Sequence, residues 1–363
     1  MCFHPGVVDK SNKNCFMGSL EKLIDRFGEK VAKENIKKDN WVLVPCGQCL
    51  ACRISYAEHW AARCETETHY HEQNVFITLT YDDDHVPVID YETGEIYKGL
   101  KKPLEYFQGQ TRERLTVFKP DLQKFWKRLR KATGAKLMYY ASGEYGDKTG
   151  RPHYHCIIYG LEIPDLELWD ERRGYQRFHS KWLDEIWGLG RTEIGSVTYE
   201  SCRYVARYVI KKRKGKEAKY YEEAKIFPEF VNMSLKPGIG MQYFEDHKDE
   251  IYKTDKIYLQ GGRTVKPPRY FDKLMDEEQL QRELGEFWSF RDFIEPDEAK
   301  TVKVESEFMR DIKDKRRKVV LTKTEARWRA TNLSLLEYYK SQEKAFESKN
   351  TLAKNRGKID EQD

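Results

Sequence analysis

Two histidines stand two residues apart in Gly150-Arg-Pro-His-Tyr-His-Cys-Ile-Ile-Tyr-Gly160, at the start of an apolar run. Successive side chains on a β-strand alternate faces, so His153 and His155 point the same way and can share one cation. The pair fits equally well as two polar residues on the wet face of a hairpin strand. Glu144 lies nine residues before His153, and folding back the turn Gly146-Asp-Lys-Thr-Gly-Arg-Pro152 brings its carboxylate beside the imidazoles. Two imidazoles and one carboxylate suit Mg2+ or Mn2+ acting on a phosphate substrate, with positions left open for the substrate's oxygens. Zinc also binds such a set, and a plain salt bridge from Glu144 to Arg151 is the structural alternative.

A second candidate is Ser201-Cys-Arg-Tyr-Val-Ala-Arg-Tyr-Val-Ile-Lys-Lys212. At ~100° per residue, Cys202, Val205, Ala206 and Val209 make one apolar stripe of a helix, and Tyr204, Tyr208 and Lys211 another roughly 140° away. The tyrosines are therefore off the burial face. They can form a stacking platform, pack under another element, or act as nucleophiles.

Eight cysteines in a chain of 363 residues do not read as a disulfide framework in a reducing compartment. Cys46, Cys49 and Cys52 form a tight knuckle around Gly47, and one remote cysteine would complete a tetrahedral zinc site. Cys2 is the first choice for that ligand, with Cys15 and Cys64 as rivals. The alternative is a helix starting near Gln48 that carries Cys49 and Cys52 as ordinary buried thiols.

The elements that must hold these groups follow from patterning. Residues 17 to 40 read as a charged helical segment with Leu20, Leu23, Ile24 and Phe27 at helical spacing. Ile54 to His71 reads as a helix and Val75 to Tyr81 as a core strand. His85 to Thr116 looks like a long loop. A helix from about Pro120 to Thr133 has Leu122, Phe125, Trp126 and Leu129 on one face and Lys124, Lys127, Arg128, Arg130 and Lys131 elsewhere. Lys136 to Tyr145 and His153 to Tyr159 pair as a hairpin. A helix at Lys181 to Trp187, a strand at Arg191 to Tyr199 and a helix from Ser201 to about Arg213 follow. Interleaved strands and helices without a glycine-rich nucleotide loop favour an α+β fold over a dinucleotide fold. The expected divisions are 1–70, cysteine-rich; 71–271, an α+β domain; and 272–363, a charged, mainly helical or partly disordered tail.

Composition excludes a membrane span: mean hydropathy is −0.83, charged residues make up 34%, and no apolar run approaches the ~18 residues required. The start Met1-Cys-Phe-His-Pro-Gly lacks a secretory pattern, which points to the cytoplasm. Net charge is only +5, so a nucleic-acid partner is suggested by charge distribution, including the run from Lys211 to Lys216, rather than by the sum.

Taken together, Phe76-Ile-Thr-Leu-Thr-Tyr81, Pro152-His-Tyr-His155 and Tyr204-Val-Ala-Arg-Tyr208-Val-Ile-Lys211 resemble, in order, the three motifs of rolling-circle replication initiators of the histidine, bulky residue, histidine (HUH) class. The narrower resemblance is to the initiators of microviruses, especially gokushoviruses. It rests on Met1-Cys, Pro45-Cys-Gly-Gln-Cys-Leu-Ala-Cys-Arg53, Gly143-Glu-Tyr-Gly146 and Lys236-Pro-Gly-Ile-Gly240, and covers roughly residues 1 to 270. The resemblance implies a central antiparallel sheet flanked by helices, a Mg2+ or Mn2+ held by His153, His155 and Glu144, and attack on origin DNA by Tyr204 or Tyr208. The products would be a 5′-phosphotyrosine and a 3′-OH, with Lys211 assisting. Single-stranded and origin DNA and the host polymerase and helicase are the implied partners, in the cytoplasm of a bacterial host. Two other readings remain at this point: a relaxase or transposase of the same superfamily, and a non-catalytic zinc-containing DNA-binding protein.

Overall fold

The computed structural model describes residues 2–12, 15–108, 111–172, 175–211, 218–284 and 305–359, without the side chains of 172, 175, 207–211, 284 and 352–359. These residues fall into two compact units, one drawn from Met1–Ser55 with Asp272–Asp363 and one from Tyr56–Phe271.

In the first unit, β1 (Gly6–Asp9) pairs with β2 (Cys15–Ser19), which leads through α1 (Leu20–Phe27) and α2 (Glu29–Lys37) to β3 (Trp41–Val44) on the other side of β1. The single helical segment expected over 17–40 is thus two helices. Gly28 separates them at φ +84°, a conformation that a side chain resists. Ser19 accepts a hydrogen bond from Lys22 N at 3.4 Å and caps α1. Leu20, Leu23 and Ile24 are buried, whereas Phe27, the fourth residue of the expected stripe, is exposed. α3 (Leu50–Glu67) starts in this unit and ends in the next.

The second unit begins with β4 (Asn74–Tyr81), then β5 (Pro87–Asp90), β6 (Ile96–Lys98) and β7 (Glu113–Leu115). The last three form a small antiparallel sheet in order β6-β5-β7 where the sequence suggested a loop. Next come α4 (Lys119–Thr133), β8 (Met138–Tyr145), β9 (Pro152–Tyr159), β10 (Glu167–Arg172), β11 (Tyr175–His179), α5 (Lys181–Trp187), β12 (Gly190–Ser196) and α6 (Tyr199–Lys211). α7 (Lys219–Glu223), β13 (Phe230–Met233), α8 (Met241–Thr254) and the hairpin β14 (Ile257–Leu259) and β15 (Arg263–Val265) complete the unit. Its centre is a seven-stranded antiparallel sheet, β10-β11-β12-β4-β9-β8-β13. The fold is α+β.

The two faces of that sheet differ. Ile77, Leu79, Ala141, Tyr154, Cys156, Ile158 and Ile194 form a core with Leu122, Phe125, Trp126 and Leu129 of α4 and with Leu183 and Trp187 of α5. Each large side chain buried there contributes about 1.5–3 kcal/mol. Pro120 lies in the first turn of α4 and Gly134 closes its end in the left-handed region. Residues of the intervening parity, among them Phe76, Thr78, Tyr140, Ser142, Glu144, His153, His155 and Tyr159, turn to the opposite face. There Trp60 of α3 packs on Tyr140 with ring centroids 5.0 Å apart, and Tyr159 donates its hydroxyl to Cys64 O at 2.9 Å.

The chain then returns to the first unit through α9 (Arg269–Leu284), α10 (Glu307–Arg329) and α11 (Leu335–Ile359). Leu335 and Tyr339 are buried in one cluster with Val7, Leu20, Leu23, Ile24, Ala32 and Trp41. The C-terminal segment therefore shares a core with the N-terminal one, and the division placed near residue 70 falls inside α3. The charged composition of α10 and α11 hides the few apolar positions that make this docking.

Candidate active site

Register on the central sheet brings the three metal-type donors together. β8 and β9 pair antiparallel with Glu144 opposite His153 and Ser142 opposite His155, and β4 puts Thr78 on the other side of His155. The hairpin is closed by hydrogen bonds from Gly146 N to Arg151 O at 3.0 Å and from Gly150 N to Gly146 O at 2.9 Å. Gly143, between Ser142 and Glu144, has no room for a methyl group: a Cβ there would lie 2.7 Å from the Phe230 ring and 3.1 Å from Tyr154.

Glu144 Oε1 accepts from His153 Nε2 at 2.7 Å and from His155 Nε2 at 3.0 Å. The ligand atoms of all three lie within 4.8 Å of one another. Arg151, the alternative partner for Glu144, instead reaches Asp83 at 2.7 Å and Tyr81 O at 3.0 Å. Burial of Glu144, which is 1% exposed, works to raise its carboxyl, but the hydrogen bonds and charge of the two histidines outweigh it and hold the group down at about 2. The stabilisation it gives is complete above its ordinary value of 4.5 and is lost as pH falls through about 2.

The far nitrogens of the imidazoles are also engaged. His153 Nδ1–H donates to the Arg151 carbonyl at 3.1 Å, and Thr78 Oγ1 lies 3.0 Å from His155 Nδ1. A carbonyl can only accept, so Nδ1 of His153 carries a proton, and Nε2 is the nitrogen that can give a lone pair to a cation in place of its hydrogen bond to Glu144. A divalent cation suits this set: two nitrogens and a carboxylate converge, both rings are oriented from behind, and the buried Ser142 Oγ beside them has no hydrogen-bond partner. Thr78, Ser142 and the ring of Phe76, stacked on His155 at 5.7 Å, were missed in the sequence. Alternation along Phe76-Ile-Thr-Leu-Thr80 puts Phe76 and Thr78 on one face, but only the pairing of β4 with β9 shows what that face meets.

α6 lies against β8 and β9. Its first turn is fixed by a reciprocal cap, in which Ser201 N donates to Thr198 Oγ1 at 3.2 Å and Thr198 N to Ser201 Oγ at 2.7 Å. Cys202, Val205 and Ala206 are fully buried, whereas Tyr204 is 46% exposed. The Tyr204 ring meets His155 edge-on at 5.1 Å and Phe76 at 6.2 Å. The helix thus carries one of the two tyrosines to the histidine cluster. Tyr208 and Lys211 follow on its last turns, and their side chains, like the lysine run after them, lie outside the described residues.

The basic helix α4 is not part of this site. Its apolar stripe packs on the opposite sheet face, and Arg128 donates to Ile186 O at 2.6 Å at the end of α5. Among the cysteines, Cys2, Cys46, Cys49 and Cys52 gather with all four sulfurs within 4.8 Å. Cys15 is exposed on β2 and Cys64 is buried in α3, so neither rival joins them.

Residues 74–213, which span the histidine strands and α6, match the family described as replication-associated protein ORF2. The replication-associated protein ORF2 of Spiroplasma virus 4 is 36% identical over 256 residues, covering 68% of this chain and 73% of its own length. The chain belongs to this replication-associated family. Its similarity extends to replication-associated protein VP4 of Bdellovibrio phage phiMH2K, 30% identical over 62% of this chain and 65% of that protein. Replication-associated protein ORF4 of Chlamydia phage 1 is 29% identical over 64% of this chain and 53% of its own length. No solved structure matches. Among the described residues, no helix is long and apolar enough to cross a membrane.

Proposed function

We propose that this chain initiates rolling-circle replication of a small single-stranded DNA phage by nicking one strand of the origin through a tyrosine. The observation that carries the reading is the Tyr204 ring set edge-on against His155 of a buried His153, His155 and Glu144 cluster. Relatives named as replication-associated proteins of phages support the biological setting.

Glu144, His153 and His155 would hold Mg2+ or Mn2+, which when bound supplies Lewis-acid polarisation of a phosphate oxygen. Thr78 and the Arg151 carbonyl keep the imidazoles turned toward the substrate. The Tyr204 hydroxyl loses its proton and its oxygen bonds to phosphorus. The bond from phosphorus to the 3′ oxygen breaks, and that oxygen takes up a proton. The products are a 5′-phosphotyrosine and a 3′-OH, which a host polymerase extends in the bacterial cytoplasm while a host helicase opens the duplex. Phenolate leaves more readily than an alkoxide, so a 3′-OH can reverse the bond and reseal DNA without ATP. Tyr208, one turn further on, supplies a second such event and so releases a circle. Lys211 would help to neutralise the phosphate.

The test uses the full chain, a labelled single-stranded origin oligonucleotide and Mn2+. A covalent adduct is expected with wild type, lost in the Tyr204→Phe/Tyr208→Phe double variant, and strongly reduced in His153→Ala. Unchanged cleavage by the double variant overturns the tyrosine mechanism. DNA binding without cleavage by the wild-type chain favours a non-catalytic role.

A further inference from the structure

The nicking chemistry leaves one donor cluster unused. Cys46 and Cys49 flank the turn at Gly47, whose φ of +72° the sequence meets with a glycine. Gln48 N and Cys49 N both donate to Cys46 Sγ, at 3.5 and 3.3 Å. Cys52 lies in the first turn of α3, and Cys2 arrives from the start of the chain, its sulfur accepting from Cys46 N at 3.2 Å. Cys2 Sγ and Cys49 Sγ are 3.9 Å apart. A tetrahedral Zn(S)4 cage with bonds of about 2.3 Å spaces its sulfurs about 3.8 Å apart. Backbone N–H groups aimed at the sulfurs favour the thiolate form. Sulfur donors exclude the hard Mg2+ and Ca2+, and four of them close the coordination shell, as in structural rather than catalytic sites.

The position of Cys2 gives such an ion a mechanical consequence. Phe3, the next residue, is buried against Phe346 of α11 with ring centroids 5.4 Å apart. His4 Nε2 lies 2.8 Å from Glu343 Oε1 on the same helix, and Pro5 O accepts from Leu20 N at 2.9 Å. Three residues after Cys2 thus form part of the floor on which α11 rests. Among the described residues, the polar links from Cys2 itself run only to other cysteines of the cluster.

We propose that Cys2, Cys46, Cys49 and Cys52 bind one zinc ion, and that this ion pins the N-terminal residues to the start of α3 and thereby keeps α11 docked. The site is separate from the histidine cluster, so its test reads out without DNA cleavage.

The full chain, purified without chelator, is expected to carry one equivalent of zinc by elemental analysis. That zinc stays in the Glu144→Ala/His153→Ala and Cys15→Ser variants and is lost in Cys2→Ser and Cys49→Ser. Should the cysteine variants fail to fold, Co2+ exchanged into the wild-type chain is expected to show sulfur-to-cobalt charge transfer and the intense visible bands of a tetrahedral site. Absence of bound metal with no cobalt spectrum, or iron in place of zinc, overturns the zinc assignment. For the mechanical part, trypsin acts on the zinc-loaded and zinc-stripped chain. Cleavage after Lys340, Lys344 and Lys349 in α11 is expected to quicken at least about tenfold on stripping, because proteolysis follows the undocked population. Equal rates overturn the pinning.

Discussion

Glu144, His153 and His155 reach one another across two hydrogen-bonded strands whose register fixes all three, whereas Cys2 meets Cys46, Cys49 and Cys52 from the far end of an N-terminal segment. In the first cluster the backbone ladder does the assembling. A turn of six residues between Tyr145 and Pro152 separates the two strands, and protons shared between the carboxylate and imidazoles occupy the place of a cation. In the second, three ligands are local and the fourth has to be brought in. A sheet-built site can therefore lose its ion and keep its shape, while a site that recruits a chain terminus depends on its ion for the shape itself.

The largest effects should separate the two clusters cleanly. Removing a partner behind a metal ligand already costs 10–100-fold in metal affinity or activity, so removing a ligand costs more. Glu144→Gln is expected to lower metal-dependent nicking by more than ~100-fold, with the thermal unfolding of the chain shifted little. Cys49→Ser is expected to do the reverse, lowering the unfolding temperature and freeing α11 while the histidine cluster still binds Mn2+. Nicking assays and calorimetry on the same two proteins decide this. A Cys49→Ser protein with unaltered unfolding would erase the distinction drawn between the sites.

Next in size is the threonine behind His155. Thr78→Val removes the oxygen 3.0 Å from Nδ1, so the ring loses its orientation and is free to change tautomer. A loss of about 10–100-fold in Mn2+ affinity is expected, seen as a rightward shift of the Mn2+ activation curve with the same plateau, and Thr78→Ser should restore it. A lowered plateau at unchanged Mn2+ affinity would show that Thr78 acts elsewhere.

The histidine cluster was legible in the sequence because its information is local. An alternating strand, a glycine-bearing turn and a returning strand fix which side chains face each other, and Tyr204 stood out because it lies off the apolar stripe of its own helix. The strands β5, β6 and β7 were not legible. They are three or four residues long, too short for a period to emerge from Pro87-Val-Ile-Asp90, Ile96-Tyr-Lys98 or Glu113-Arg-Leu115. The docking of the C-terminal segment was hidden for another reason. Leu335 and Tyr339 complete the core around Val7 and Trp41, a pairing across nearly the whole chain that no local pattern encodes. The choice of Cys2 over Cys15 and Cys64 was likewise a question of distance in space.

A smaller effect is expected at Gly143. A methyl group there meets the Phe230 ring at 2.7 Å, on the core face of the strand that carries Glu144 on its other face. Overpacking of this kind costs about 1–3 kcal/mol. Gly143→Ala should therefore lower the unfolding temperature by several degrees and weaken Mn2+ binding only as far as β8 shifts. If stability falls and Mn2+ affinity is unchanged, strand register tolerates the strain without passing it to the cluster.

The smallest effect sharpens the comparison by asking which charges belong to the site at all. Lys124 and Lys127 are exposed on α4, and by composition they look like phosphate contacts. The apolar stripe of that helix, however, packs on the sheet face opposite His153 and His155. A DNA strand held at the histidines would have to pass around the sheet to reach them. Each phosphate contact removed lowers the slope of log binding constant against log salt by about 0.7 for a single strand. Lys124→Ala/Lys127→Ala should thus leave both the affinity for a single-stranded origin oligonucleotide and its salt slope at the wild-type values. A slope reduced by about 1.4, two contacts' worth, would place DNA on both faces of the sheet and require a path for the strand that the histidine cluster alone does not define.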